Sequence, residues 1–311
     1  MQPELDYIYE IYKAGSFSKA AEKLYMTQPA LSMSIHKLER QIGMALFDRK
    51  KRPLQLTEAG EIYIRGIEKM RHLEKDIQDE LQDINTLTTG SLRIGGTHYI
   101  NARILPPILT AFHQKYPGVE IKLLETSSAA ASSMLEEQII DFTLICNEPF
   151  IEKFERYPAF QDHILLAVPA NDAMNEQCQE YRLTAEDILA GRHLSQAIPG
   201  IPWEYLNPLQ YIILSEKNNL HDRVLEIFQE AGITPRIVLE ISQLVTAYHL
   251  AEAGFGATFT CDRIVNTTTK GLYFYKLDSR LATRSFYILL PHREYIPKAV
   301  RRFISFFGKR V

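Results

Sequence analysis

The sequence predicts an α+β protein of several domains, with an N-terminal winged helix-turn-helix, a long linker helix and a C-terminal α/β domain. Three observations predict this arrangement. The chain has 311 residues, which exceeds one ordinary domain and suffices for two or three units with their own cores. Apolar residues recur at helical spacing across residues 58–87. Beyond a polar break at residues 88–91, strand and helix patterns alternate, which indicates an α/β domain.

Three short amphipathic helices are expected in the first 42 residues. The first spans residues 2–14 and ends at Gly15, after which Ser16 or Ser18 can cap the second. The apolar face of the second repeats at i, i+3, i+4 and i+7 and consists of Phe17, Ala20, Ala21 and Leu24. The two alanines allow the helices to cross closely. The third helix runs from about residue 28 to 41, with Thr27 as its N-cap and Pro29 in its first turn.

The outer face of the third helix is polar and has no carboxylate before Glu39. The inward stripe of this helix consists of Ala30, Leu31, Ile35, Leu38 and Ile42. The outward residues are Gln28, Ser32, Met33, His36 and Lys37. A face without acids suits a helix that meets phosphates and base edges, so we interpret it as a reading helix.

Basic charge is concentrated beside this helix. Residues 1–60 hold nine Lys and Arg against seven acids, and residues 36–52 hold six against two, although the whole chain has a net charge of −3. The run 49–52 turns the chain between a strand containing Phe47 and a returning segment with Leu54 and Leu56. One interpretation is a solvated hairpin tip. Next to the reading helix we favour a wing that contacts phosphates or the minor groove.

The runs FSKAAEKL, TQPALSMSIHKLERQIGMALFDR and RPLQLTEAG resemble the N-terminal signature of the LysR-type bacterial transcription regulators. The resemblance extends over nearly the whole chain. It implies a DNA-binding domain at residues 1–58, a linker and dimerisation helix at 59–88, and an effector-binding domain at 89–311. Many members carry Arg directly after the serine of the reading helix, where this chain has Met33. The binding energy of such an Arg would then come from Lys37, Arg40 or the wing, or Met33 would favour a thymine methyl group.

The resemblance also implies that the C-terminal domain is built like a small periplasmic solute-binding protein, with two lobes and a cleft. We expect lobe I at about residues 91–161 and 270–311, and lobe II at about 162–269. The chain would then cross between lobes near residues 161–162 and again near 266–271.

Two sets of residues are expected to meet DNA. Base edges would be contacted from one surface by Gln28, Ser32, Met33 and His36, and Pro29 is also expected to meet DNA. Phosphates or the minor groove would be contacted by Ser18, Lys37, Arg40, Arg49, Lys50 and Arg52. The packing of the motif would depend on Ala20, Ala21, Leu24 and Leu31.

The long helix, capped by Thr57, carries one narrow apolar stripe. Its members are Tyr63, Ile67, Met70, Leu73, Ile77, Leu81, Ile84 and Leu87. Such a stripe is typical of a seam between two helices, so we expect a dimer, or a tetramer built from dimers. Two reading helices would then meet the two halves of an imperfect inverted repeat in double-stranded DNA. The alternative is a helix that packs on its own domain.

Polar residues follow several predicted strands and open the next helices, where backbone N–H groups can receive a small anion. The expected effector-binding residues are Thr97, His98, Tyr99, Ile100, Ser127, Ser128, Cys146, Gln196, Ser242 and Gln243. By the resemblance, these loops hold the effector, for which an anionic metabolite is the favoured class. The alternative for each Ser or Thr is an ordinary helix cap.

No cofactor or metal is expected. The histidines at positions 98, 113, 163, 193 and 249 are scattered, and no G-x-S-x-G, P-loop or H-E-x-x-H motif is present, so nothing suggests an enzyme. Three widely spaced cysteines, no secretory signal and no apolar run near 20 residues indicate a cytoplasmic chain without membrane contact. RNA polymerase is a further expected partner. The rival classes are a solute-binding protein and a small-molecule enzyme that uses the α/β cleft.

Overall fold

A computed structural model describes residues 3–85, 90–146, 148–216 and 218–309 of the chain. The predictions for residues 2, 87–89 and 147 lie outside the described residues. The chain divides into two compact units. The first is Met1–Leu81 with Arg293–Tyr295, and the second is Gln82–His292 with Ile296–Val311.

The first unit has the predicted order of helices and a short hairpin. Its elements are α1 (Pro3–Ala14), α2 (Phe17–Lys23), α3 (Gln28–Ile42), β1 (Phe47–Asp48), β2 (Gln55–Leu56) and α4 (Glu58–Asn85), the last of which continues into the second unit. β1 and β2 pair antiparallel. The apolar core of this unit consists of Ile8, Ile11, Ala20, Ala21, Leu31, Ile35, Leu46, Phe47, Ile64 and Ile67. Ala20, Ala21 and Leu31 therefore lie at the centre of the motif, and Leu24 packs against it.

Side-chain caps fix the starts of α3 and α4. Thr27 Oγ1 accepts the Ala30 N–H at 3.4 Å, which is a long bond. Thr57 Oγ1 accepts the Gly60 N–H at 3.0 Å and donates to the Ala45 carbonyl at 2.6 Å. Ser16 occupies the N-cap position of α2, but its side chain makes no capping hydrogen bond.

The apolar stripe of α4 divides into two parts. Tyr63 and Ile67 pack into the core of the first unit, as the alternative interpretation predicted. The stripe residues from the next turn onward are exposed and consist of Met70, Leu73, Ile77, Leu81 and Ile84. On another side of the helix, Arg293 Nη2 lies 2.8 Å from Asp76 Oδ1 and 2.6 Å from Asp79 Oδ2.

The second unit is an α/β domain with strands and helices in alternation. Its strands are β3 (Gly90–Gly96), β4 (Val119–Glu125), β5 (Phe142–Ile145), β6 (Glu155–Pro169), β7 (Gln210–Leu214), β8 (Arg236–Ile241), β9 (Ala257–Cys261), β10 (Leu272–Lys276) and β11 (Thr283–Leu290). Its helices are α5 (Leu105–Lys115), α6 (Ser128–Glu136), α7 (Glu148–Ile151), α8 (Met174–Gln177), α9 (Ala185–Leu189), α10 (Asn219–Glu230), α11 (Leu244–Glu252) and α12 (Lys298–Phe307).

One strand joins two sheets, which we call lobe I and lobe II. Lobe I has the order β4-β3-β5-β11-β6, and lobe II has the order β6-β9-β7-β8 with β10 on the other side of β6. β6 changes its partner between His163, which pairs with Thr283, and Ile164, which pairs with Cys261. This change lies within two residues of the first crossing expected from the sequence.

The second crossing, expected at residues 266–271, is wrong. β10 pairs with Leu165–Pro169 in the lobe II half of β6, so residues 272–276 belong to lobe II rather than to lobe I. The chain returns to lobe I within residues 277–282, before β11 pairs with the first half of β6. An apolar strand pattern identifies a strand but not the sheet that it joins, which explains the error.

Two helix starts also differ from the sequence expectation. The sequence pattern predicts a helix at residues 102–116, but this helix begins as a π-helix at Ile100–Ile104 and continues as α5. The pattern also predicts a helix at residues 132–138, but α6 begins four residues earlier, where Ser127 caps it. Within the described residues, no helix combines the length and apolarity that crossing a bilayer requires.

Candidate functional site

The outer surface of α3 is exposed, as its sequence predicts. Gln28, Pro29, His36, Lys37 and Arg40 are exposed, and Ser32 is partly buried. Met33 has 71% of its surface exposed, which is a high value for an apolar side chain. This surface of α3 therefore presents amide, imidazole, thioether and cationic groups together.

Glu39 turns inward from the same helix and joins α3 to the hairpin. Its Oε1 accepts the Leu46 N–H at 2.8 Å and the Phe47 N–H at 3.4 Å. Its Oε2 lies 3.4 Å from His36 Nδ1. Glu39 is only 7% exposed, so its carboxylate does not interrupt the cationic surface. The sequence analysis treated this residue only as the end of the acid-free face.

Arg49 connects the hairpin to α3. Its Nη1 donates to Ser32 Oγ at 3.1 Å, and its Nη2 donates to Glu39 Oε2 at 3.3 Å. Its guanidinium carbon lies 4.7 Å from the centre of the Phe17 ring. The structure thus brings together two of the predicted DNA-binding residues, Arg49 and Ser32, and gives Arg49 partners within the protein.

The other predicted hairpin contacts lie at the tip. Lys50 and Arg52 are exposed, and the Lys50 N–H donates to Asp48 Oδ1 at 3.0 Å, which shapes the turn. Ser18 is exposed on the first turn of α2.

A cavity of about 350 Å³ lies between the two lobes of the second unit. Both lobes contribute to its lining, which includes Thr97, His98, Tyr99, Glu125, Thr126, Ser127, Ser128, Leu144, Ile145, Cys146, Ser215, Glu216, Asn218, Asn219, Leu220, Ser242, Gln243, Leu244, Arg284 and Phe286. This volume suits a small molecule rather than a macromolecule.

Three helices open at this cavity, and the lining contains the first residue of each. They are α6, α10 and α11, which start at Ser128, Asn219 and Leu244. Helix N-termini carry partial positive charge and N–H groups without intrahelical partners. Among the described residues, Gln243 Oε1 is buried beside the start of α11 without a hydrogen-bond partner. Ser127 and Asn218 already cap α6 and α10 with their side chains, whereas the start of α11 has no side-chain cap.

Arg284 lies in the cavity wall and is held by a fully buried carboxylate. Its Nε and Nη2 donate to the two oxygens of Asp162 at 2.8 and 2.5 Å, and the Tyr99 hydroxyl donates to Asp162 Oδ2 at 2.8 Å. Burial opposes the charged guanidinium, but the Asp162 carboxylate keeps the pKa of Arg284 well above its usual value. Burial, together with the nearby Cys261 and Asp162, raises the pKa of Tyr99.

Cys146 is a buried thiol in the cavity wall. Its Sγ donates to Asn219 Oδ1 at 3.2 Å, and burial raises its pKa to about 11. Cys178 and Cys261 are buried too, and burial raises the pKa of each. A thiol that stays protonated at neutral pH is a poor nucleophile, so Cys146 contributes a buried, unreactive side chain to the cavity wall.

Two family profiles match the chain. Residues 3–61 match the bacterial regulatory helix-turn-helix protein of the lysR family, and residues 85–311 match the LysR substrate binding domain. Together they span both units. The chain belongs to the LysR family of transcription regulators.

This LysR-type regulator has relatives that align over almost its whole length. An uncharacterized HTH-type transcriptional regulator, YcgK of Bacillus subtilis strain 168, is 26% identical over 301 residues, which are 97% of this chain and 92% of YcgK. A probable RuBisCO transcriptional regulator of Trichormus variabilis is 26% identical over 297 residues, covering 93% of this chain and 82% of that relative.

Solved structures share the fold of the regulator. CbnR in complex with its target DNA has a TM-score of 0.59 at 19% identity, with both chains covered completely. HinK of Pseudomonas aeruginosa has a TM-score of 0.57 at 19% identity, covering 100% of this chain and 98% of HinK. The two matched family profiles show that the DNA-binding helix-turn-helix domain and the effector-binding domain predicted from the sequence are both present.

Eight of the ten expected effector-binding residues of the regulator line the cavity. The two exceptions are Ile100 and Gln196. Ile100 is the first residue of the π-helix and is fully buried in the core, whereas Gln196 is exposed in a turn outside the lining. For Ile100, the π-helix turns the side chain inward. The turn with Gln196 is held elsewhere, because Lys276 Nζ donates to the neighbouring Ser195 carbonyl at 2.9 Å.

Sequence analysis missed Arg284 and its partner Asp162. These residues are 122 positions apart, and only the pairing of β6 with β11 brings them together. It also missed Asn219 and Ser215 in lobe II. The start of α10 at a pair of polar residues could have indicated Asn219. It was missed because residues 210–214 were not predicted to form a strand.

The histidines of the regulator are less scattered than the sequence suggests. His163 Nδ1 and His193 Nε2 lie 3.0 and 3.1 Å from Asp262 Oδ2, outside the cavity lining. Burial alone would raise the pKa of Asp262, but hydrogen bonds from His163 and His193 lower it well below its usual range. Both rings therefore donate to an ionised carboxylate.

Proposed function

We propose that the exposed surface of α3 enters the major groove of double-stranded DNA and reads one half-site. The inward position of Glu39 carries this proposal, because it leaves Gln28, Met33, His36 and Lys37 on a surface without an exposed carboxylate. In this proposal Gln28, Pro29, Ser32, Met33 and His36 approach base edges. Ser18, Lys37, Arg40, Lys50 and Arg52 approach phosphates or the minor groove. Arg49 reaches DNA while remaining oriented by Ser32 and Glu39.

A second copy of the chain supplies the second reading helix. The exposed apolar residues of α4 from Met70 to Ile84 are spaced by threes and fours, which suits a helix-to-helix seam. A two-fold axis through this seam would place two reading helices on an imperfect inverted repeat. We propose a dimer, or a tetramer of such dimers.

The effector is a small molecule with a carboxylate or similar anionic group. Three helix N-termini open at the cavity, and N–H groups at helix starts favour anions. Thr97, His98, Tyr99, Ser127, Ser128, Cys146 and Ser242 would contribute the remaining contacts. Arg284 adds a cation at the cavity wall that Asp162 largely balances, so the helix starts supply most of the attraction.

Effector binding would change the closure of the two lobes and, through the oligomer, the spacing of the DNA-binding pairs and the bend of the operator. The altered DNA would then change contact with RNA polymerase. A regulator of this kind acts on the chromosome, so we place the chain in the cytoplasm.

Binding to DNA from beside the protein's own gene tests the DNA proposal. We expect retention in a gel-shift assay that weakens steeply with salt. Arg52→Ala should reduce the slope of log affinity against log salt by about one, whereas Gln28→Ala should weaken specific more than non-specific binding. Lys153→Ala, which removes an exposed cation of the second unit, is the matched control. No retention at low salt would contradict the proposal.

Met33 offers a test of base preference. We expect Met33→Arg to shift the selected half-site toward guanine, because Arg pairs with guanine and Met33 suits a thymine methyl. Selection from randomised half-sites measures this. An unchanged preference would show that Met33 does not face a base.

A thermal-shift screen of small carboxylates against matched amines tests the effector proposal. A ligand at 100 times its Kd stabilises the folded chain by about 2.7 kcal/mol. Gln243→Ala should abolish the shift, and Gln196→Ala, which alters the same residue type outside the cavity, should retain it. Shifts with amines alone would contradict an anionic effector.

A further inference from the structure

Three side chains converge outside the cleft, where β6 passes between the lobes. His163 Nδ1 and His193 Nε2 lie 3.0 and 3.1 Å from Asp262 Oδ2, and all three atoms fall within 4.8 Å of one another. We propose that His163, His193 and Asp262 form a binding site for one divalent first-row transition-metal ion, of the class that includes Zn²⁺.

The donor set suits this class of ion. Two imidazole nitrogens and one carboxylate oxygen are ligands that Zn²⁺ and its neighbours accept, with Zn–N distances of about 2.0–2.1 Å. Around a tetrahedral ion, such distances place neighbouring ligand atoms about 3.3 Å apart. The two nitrogen–oxygen separations are already close to this value. Because the His163 side chain is 29% exposed, it can rotate to bring the two nitrogens closer.

The surroundings hold the ligands in place. Asp262 Oδ1 accepts the backbone N–H groups of His163 at 3.0 Å and Arg263 at 2.8 Å, which orients Oδ2 toward the two rings. Such outer hydrogen bonds are typical of metal-binding carboxylates. Three protein ligands leave a fourth position for water or another molecule.

His193 is enclosed by the protein, with a side chain only 4% exposed and its Nε2 3.1 Å from Asp262 Oδ2. A ligand nitrogen that is already held in place loses little conformational freedom when it binds an ion.

The ion would bind the ring nitrogens that face Asp262, which are His163 Nδ1 and His193 Nε2, together with Asp262 Oδ2. Each imidazole would present the lone pair of that nitrogen to the ion.

The position of the site connects it to the cleft. Asp162 and Cys261, the residues that hold Arg284 in the cleft wall, directly precede His163 and Asp262. Successive residues of β6 point to opposite faces, so Asp162 and His163 lie on opposite sides of this strand. A bound ion would tie lobe II to β6 at the change of partner. Its effect on DNA affinity, but not its binding, rests on the proposed function.

Metal titration of the full chain, without DNA or effector, tests the site. After chelator treatment, we expect calorimetry to show one Zn²⁺ per chain, and Co²⁺ to give visible d–d absorption. His163→Gln and Asp262→Asn should each weaken binding by at least about tenfold and remove the Co²⁺ absorption. His249→Gln removes another exposed imidazole that lies beside a carboxylate, Glu252, and should bind as the unchanged chain does.

Three results would overturn the proposal: no stoichiometric binding, binding that both variants retain, or binding that His249→Gln also loses. Far-UV circular dichroism of the metal-free variants shows whether they are folded, and His163→Gln is the milder change because its ring is partly exposed. A gel-shift assay with and without Zn²⁺ then tests coupling. A change in DNA affinity that His163→Gln lacks supports a regulatory ion, and equal affinities overturn that role.

Discussion

Glu39 shows how a single carboxylate can support a cationic surface. Its buried oxygens accept backbone N–H groups at the start of the hairpin and orient Arg49 beside Ser32. A short-range reading of the sequence assigns Glu39 to the outer face, because helical spacing places it one turn after His36. The tertiary contacts with residues 46–49 turn it into an internal anchor instead.

Replacing Glu39 with alanine should destabilise the first unit. The Leu46 N–H would lose its acceptor, and an unsatisfied buried donor costs about 1–3 kcal/mol. Denaturant unfolding measures this loss, and DNA binding should weaken because Arg49 loses its orientation. Glu22→Ala, which removes an exposed carboxylate from the same unit, should change stability by less than about 0.5 kcal/mol. Equal effects of the two substitutions would remove the anchoring role.

The Arg284–Asp162 pair makes a prediction about the second unit. Arg284→Met leaves the fully buried Asp162 uncompensated and should cost about 3–5 kcal/mol of unfolding free energy. Adding Asp162→Asn should recover much of that loss, because no buried charge remains. Unfolding by denaturant compares the two variants. A double variant as unstable as the single one would show that the pair does not act through its charge.

Cys146 predicts a pH dependence of stability. Its thiol stays protonated up to about pH 11 in the folded chain, whereas an exposed thiol ionises near pH 9. Between these values the unfolded chain binds fewer protons, so stability should fall as pH rises, by about 1.4 kcal/mol per pH unit for this thiol. Below pH 8 the contribution is constant. Cys146→Ala should show a shallower alkaline decline, and parallel curves would contradict the assignment.

Among the secondary-structure elements, α4 requires a glycine at position 60, which its sequence pattern does not indicate. A Cβ atom at Gly60 would overlap the carbonyl oxygen of Leu46, which also accepts the Thr57 N–H. Gly60→Ala should therefore destabilise the first unit by about 1–3 kcal/mol. Gly66, six residues along the helix, has open space at its Cβ position, so Gly66→Ala should stabilise by about 0.5–1 kcal/mol. Thermal unfolding distinguishes the two, and similar shifts would refute the packing argument.

The exposed stripe of α4 predicts how the oligomer responds to charge. Ile77, which is 50% exposed, lies at the middle of the stripe, so Ile77→Asp should break the proposed dimer. Gln78→Asp introduces the same charge one residue later, off the stripe, and should leave the dimer intact. Light scattering across a range of concentrations measures the mass of each variant. Retention of the dimer by Ile77→Asp would exclude this seam.

The elements that the sequence predicted well are those with a single strong local signal. The starts of α3 and α4 follow from Thr27 and Thr57, and the stripe on α4 follows from its periodicity. The sequence did not predict β7 or the first half of β6. The two halves of β6 belong to different sheets. The burial pattern alternates over residues 155–162 but not over residues 164–169. A change of pattern within one strand looks like the end of an element.

For the whole molecule, the sequence predicts the order of domains because each domain has its own periodicity. The candidate cleft was predicted in part, because helix starts after strands are local features. Contacts between residues that are far apart in the sequence were not predicted. Asp162 meets Arg284, and His163 meets His193 and Asp262, only after two sheets have formed on the same strand. The spacing of residues along the chain does not predict such contacts.

The sharing of β6 determines what a ligand in the cleft can do. The two sheets cannot part, because one continuous strand belongs to both and a second stretch, residues 277–282, runs back beside it. We therefore expect the relative motion of the lobes to be a twist about a line through these two crossings. Under the proposed function, chemically different ligands that pull the walls together would all produce this same rotation. Substitutions in the walls would then alter which molecule is sensed and leave the mechanical response unchanged.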